Sequence, residues 1–179
     1  MTIDHENVTL HDVLESLHSI NNTSIETPLI VQLVENPRFD IPGIEIFNGS
    51  VGLEAHDAIH ALLGRGLLPK DEAFVIGFTM GSTNRMSTFE KRLFGLTAKY
   101  LYPGPYKFGD DDIKIFTKAA HLGYVSNCQP LNKVDYEKLM HLTLREAREA
   151  IGLEIDLLRA FYRLEQKMFP DSIECRRLL

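Results

Sequence analysis

The chain has 179 residues, 44% of them hydrophobic and 25% charged, which gives room for one well-filled core, too little for two ordinary domains, and no reason to expect disorder. With 19 Lys and Arg against 25 Asp and Glu, the formal net charge is −6; no basic run offsets it, so nucleic acid is not an expected partner. Cys128 and Cys175 stand too far apart for a CxxC pair or a disulfide framework, and neither a signal or transit segment nor an apolar run of ~20 residues is visible, so the expected location is cytoplasmic, with peripheral membrane contact and oligomer formation both compatible.

Leu10, Val13, Leu14 and Leu17 recur at i, i+3, i+4, i+7 and predict a first helix capped by Thr9. Thr27-Pro28 predicts a second, short helix to Val34, ended by Asn36-Pro37. Residues 38–50, with Pro42 and two glycines and with Pro37 just before them, read as a loop with a short extended piece. Ser50 caps a helix expected over Val51 to Leu63, which Gly64-Arg65-Gly66 stops. Pro69 starts another, expected to reach about Met80 and to break at Gly81.

Ser87 to Glu90 has capping-box spacing and opens a helix through Tyr100; the YPGPYKFG stretch is a turn-rich connector. Asp110 opens a helix with Ile113, Phe116, Thr117 and Ala120 on one face, closed by Gly123. Tyr136, Leu139, Met140, Leu144, Ala147 and Ile151 lie on one helical stripe, and Ile155, Leu158, Phe161, Tyr162 and Met168 continue it beyond Gly152. The expectation over residues 1–179 is a single all-α, bundle-like domain of about seven or eight helices.

Chemistry concentrates in LEAHDAIHALLGRGLLPKDEAF. On a helix, His56 and His60 stand within about 40° of each other and one turn apart, a spacing that lets two imidazoles grip one metal. Asp57 lies about 60–100° around the axis from them. It reaches the same ion only by leaning across, and otherwise orients one imidazole. Glu72 falls in the first turn of the next helix, and an antiparallel pair would return it towards the first. Two His with carboxylates suit zinc, and also iron or manganese.

The other histidines, His5, His11, His18, His121 and His141, lack such partners and read as structural or solvated. Glu54 reads as solvent-facing. Asp110-Asp111-Asp112 reads as a helix cap that complements the dipole, not as a metal cluster. Gly77 and Gly81 read as sites of close helix packing.

HDAIHALLGRGLLPKDE fits HDxxH, eleven residues, then Glu, and so resembles the metal motif of the coenzyme Q biosynthesis family Coq-four. LTLREAREAIGL resembles that family's downstream LREELGI-type helix, so the similarity spans roughly Val51 to Leu153. The resemblance implies metal ligation by His56, Asp57, His60 and Glu72, an all-helical fold, and a zinc or similar divalent ion. It also implies work in ubiquinone biosynthesis on a hydrophobic isoprenoid or quinone-like ligand, beside other biosynthetic proteins. The lyase chemistry it suggests is oxidative decarboxylation of a polyprenylated ring with hydroxylation at the same carbon, or simple binding of that precursor. Where the family usually has Gly before the motif Glu, this chain has Asp71.

Two other functions compete. HDAIH is one methylene short of the HExxH zinc-protease motif, and the His-Asp dipeptide is shared with HD phosphohydrolases, which leaves a metal-dependent hydrolase open. A non-catalytic lipid- or protein-binding module with a structural metal is the other. A closed four-ligand site would favour that last reading.

Overall fold

The computed structural model describes residues 2–21, 53–83 and 108–179. Seven α-helices lie in these segments: α1 (Leu10–Asn21), α2 (Leu53–Leu63), α3 (Pro69–Ser82), α4 (Asp110–Val125), α5 (Leu144–Ala150), α6 (Ile155–Met168) and α7 (Ile173–Arg176). Two 3-10 turns, Leu131–Lys133 and Tyr136–Leu139, precede α5. Among the described residues there is no strand, only an isolated antiparallel bridge between Thr9 and Thr143. The described residues form an all-helical arrangement, as the periodicity predicts. The expected helix from Thr27, the loop over 38–50, the Ser50 cap and the Ser87 helix lie outside the described residues, as does most of the connector after Tyr100. No described helix is long and apolar enough to cross a membrane.

Helix α1 begins where expected. Thr9 Oγ1 accepts the Asp12 N–H at 3.1 Å, which satisfies a first-turn donor. Leu10, Leu14 and Leu17 are buried and turn this face against α2. Helix α2 ends on Gly64, whose φ of +66° only glycine adopts without strain. The Gly64 N–H bonds the Ala61 carbonyl at 3.1 Å and the Arg65 N–H bonds the His60 carbonyl at 2.9 Å. This is a Schellman ending, and it reverses the chain into α3 within five residues.

Helix α3 is buried on every side from Lys70 to Ser82, so its amphipathicity is weak and it forms the centre of the core. It runs past the break expected at Gly81. Helix α4 likewise continues past Gly123 to Val125. The reason is backbone contact: a side chain at Gly77, Gly81 or Gly123 would strike the carbonyls of Phe116, Ala120 and Phe78 respectively. These glycines let α3 and α4 touch, and interhelix packing outweighs their low helix propensity. Gly77 and Gly81 thus act as the expected packing sites.

The stripe over Tyr136–Ile151 is not one helix. The Leu10 N–H bonds the Leu142 carbonyl at 3.0 Å, His11 N–H the Met140 carbonyl at 3.1 Å, and Leu144 N–H the Val8 carbonyl at 2.9 Å. Backbone groups of residues 140–144 are committed to the N-terminal segment and cannot close an α-helical ladder. Tyr136, Leu139, Leu144, Ala147 and Ile151 are buried all the same. On α6, Leu158, Tyr162 and Glu165 line the inward face.

Candidate metal centre

Two local endings build the site. The Schellman turn places the last two turns of α2 beside the first turn of α3, and Pro69 fixes the start of α3. His56, His60 and Glu72 thereby converge, each offering one ligand atom within 4.8 Å of the others. His56 Nε2 lies 3.4 Å from Glu72 Oε2, and His60 Nε2 lies 3.4 Å from Glu72 Oε1. The two Nε2 atoms are 3.1 Å apart. All three side chains are 5% exposed or less.

These spacings fit an ion. With metal–nitrogen bonds of about 2.0–2.1 Å, neighbouring ligands of a tetrahedral zinc stand about 3.3–3.4 Å apart. The His60 tautomer supports the same conclusion. Its Nδ1 lies 2.6 Å from the Gly66 carbonyl; a carbonyl only accepts, so Nδ1 carries a hydrogen and Nε2 is the ring atom turned to the centre. His56 Nδ1 faces Asp57 Oδ1 at 3.6 Å, and its Nε2 points to Glu72 and His60. Two imidazole Nε2 atoms and a carboxylate face one another in a buried core, an arrangement that a cation satisfies. Glu72 Oε2 and His56 Nδ1 have no hydrogen-bond partner. These residues could hold a metal ion.

Without an ion, a proton is the cation available. Burial alone would lower the His56 pKa, but the Asp57 and Glu72 carboxylates outweigh it and push it up to about 9. Burial alone would raise the Glu72 pKa; the His60 and His56 imidazoles, each 3.4 Å away, outweigh it and hold the carboxyl down at about 2. The metal-free centre is an ion pair held by a proton that a metal must displace.

Of the four residues singled out from the sequence, the structure gathers three at one point. Asp57, buried beside them, stands at the outer nitrogen of His56 and outside the converging set. Of the remaining histidines, His5, His11, His121 and His141 are exposed, as read, and His18 lies outside the described side chains. In the acidic triplet, Asp112 accepts the Gly109 N–H at 2.8 Å and the Lys70 ammonium at 3.1 Å, and Asp111 pairs with Lys114. Glu54 lies outside the described side chains.

Sequence reasoning missed the buried charges that brace the site. Arg65 is fully buried, bonded through Nη1 to Glu165 Oε1 at 2.9 Å and through Nη2 to Oε2, between the rings of Phe74 and Tyr162 at 3.7 and 4.3 Å. Arg148 Nε donates to the Leu62 carbonyl at 2.9 Å, and its Nη1 to Ile3 at 2.9 Å; Tyr162 donates to the Leu63 carbonyl at 2.6 Å. The last carbonyls of α2 are therefore all held. The one local signal was Arg65 between two glycines, directly after the HDAIH helix. No family model, no curated protein and no solved structure matches the chain.

Proposed function

We propose that this chain is a divalent-metal protein of the Coq-four type that works on, or holds, a polyprenylated ring precursor in ubiquinone formation. The observation that carries the reading is the buried convergence of His56, His60 and Glu72, at the HDxxH-x11-E spacing that the resemblance singles out. Zinc fits the two-imidazole, one-carboxylate set best, with iron or manganese compatible.

His56, His60 and Glu72 would hold the ion, and a divalent ion there would supply Lewis acidity. The residues do the rest. His60 is locked by the Gly66 carbonyl, and Asp57 orients His56 rather than completing a fourth ligand. Glu72 contributes the anionic charge. The surrounding core excludes bulk water. Three protein ligands are one fewer than the four that close a structural zinc site, which supports an enzyme over a structural ion. Asp57 faces the outer nitrogen of His56, away from the converging ligand atoms, which argues against it as the base a zinc protease needs.

The test is complementation. Expressed in a strain lacking its own Coq-four-type protein, the wild-type chain should restore extractable quinone, and the His56→Ala/His60→Ala pair should not. Failure of the folded, metal-containing wild type to restore quinone withdraws the pathway assignment; restoration by the double variant overturns the role of the metal.

A further inference from the structure

Both ends of the α2–α3 turn matter to the centre. At one end the Gly66 carbonyl fixes the His60 ring. At the other, Asp71 precedes Glu72, and its fully buried carboxylate accepts the Leu68 N–H at 3.2 Å, which fastens the turn to the start of α3. Arg65 reaches this carboxylate only at 3.9 Å, because its own fork is occupied by Glu165.

A single side chain from α7's end touches both places. The Arg177 guanidinium bonds Asp71 Oδ2 and lies against Gly66, where a Cβ would stand only 2.7 Å from Arg177 Cζ. Gly66 is thus the space the guanidinium fills. The backbone beside Arg177 is tied down, with the Ile3 N–H on the Leu178 carbonyl at 3.2 Å. The Arg177 side chain is still 32% exposed, so shortening it opens no cavity in the core.

We infer that Arg177 is a positioning residue for the metal centre: it pins the 64–71 turn from outside, so that the Gly66 carbonyl stays on His60 and Glu72 stays beneath both imidazoles. The inference rests on the metal reading above. Removing the guanidinium leaves the Asp71 carboxylate buried with Arg65, at 3.9 Å, as its nearest cation. Asp71 then turns towards water, the Leu68 bond loosens, and Gly66 drifts from His60 Nδ1. Groups that orient metal ligands in this way typically contribute 10–100-fold in affinity.

The probe is Co²⁺, titrated against a competing chelator, with its visible d–d bands reporting ligand geometry. Arg177→Gln should bind Co²⁺ about 10-fold or more weakly and show altered bands, while Arg177→Lys recovers part of both. Gly66→Ala, which displaces the guanidinium with Arg177 present, should reproduce the loss and serves if Arg177→Gln does not fold. Arg159→Gln removes another partly exposed arginine, paired with Asp4 and Glu6, and should change neither readout. Wild-type affinity and bands in folded Arg177→Gln or Gly66→Ala, or an equal loss in Arg159→Gln, overturn the inference while the metal reading stands. A wild type that takes up no Co²⁺ overturns both.

Discussion

The Arg65–Glu165 pair allows a sharp test of how the site is supported. Glu165→Gln keeps the shape of the side chain and removes its charge. The guanidinium is then buried between Phe74 and Tyr162 with Asp71, at 3.9 Å, as its nearest remaining carboxylate. Breaking one side of a buried pair costs about 3–5 kcal/mol, because the surviving charge stays desolvated without its partner. For a chain of this size each kcal/mol moves Tm by about 2–4 °C, so the metal-free variant should melt roughly 6–20 °C below wild type. Urea unfolding gives the free energy directly. Arg65→Met/Glu165→Leu should be more stable than Glu165→Gln alone, since it leaves no orphaned charge. A loss below about 1 kcal/mol in Glu165→Gln, or a double variant less stable than the single, would refute the picture of a desolvated, mutually dependent pair.

The pH behaviour follows from the metal-free centre. His56 is raised from 6.5 to about 9 and Glu72 lowered from 4.5 to about 2. The His56 contribution to stability is fully present below about pH 6.5 and lost as pH rises through 9; that of Glu72 is present above about 4.5 and lost as pH falls towards 2. Thermal midpoints of the metal-free protein should peak between those limits, and a profile flat from pH 5 to 10 contradicts the shared-proton centre. Zinc binding at pH 7 should release about one proton, measurable by calorimetry in buffers of different ionisation enthalpy, with apparent affinity rising up to tenfold per pH unit below about 9. Asp57→Asn should keep one metal per chain and weaken it about 10–100-fold; complete loss of metal in a folded variant would make Asp57 a ligand. Gly123→Val should destabilise by at least about 1–3 kcal/mol, because α3 and α4 must separate, whereas an unchanged urea midpoint would show that the two backbones do not touch.

The site helices were legible because their signals are local. His56 and His60 share a face at any helical twist, Gly64 ends α2 by needing positive φ, and Pro69 starts α3. The position of Glu72 was less legible, since its return depends on the Schellman turn, and only the resemblance made it a ligand. Gly81 and Gly123 read as breakers because isolated glycine disfavours a helix; the helix that each touches is far away in sequence. The stripe over Tyr136–Ile151 gave the buried positions but not the interruption, which comes from bonds to residues 8–11. Thr143 and Glu146 did carry a readable capping-box signal for the start of α5. Arg65, Glu165 and Arg148 were invisible for the ordinary reason that charged residues default to the surface, and Glu165 lies 100 residues from its partner.

The claim on which the rest depends is that His56, His60 and Glu72 hold a metal. Its most direct test is the metal content of the chain purified without chelator or affinity nickel, compared with folded His56→Ala/His60→Ala. One divalent ion per wild-type chain, absent from the variant, is the predicted result. A folded wild type free of metal after incubation with zinc, or an ion retained by the double variant, contradicts it.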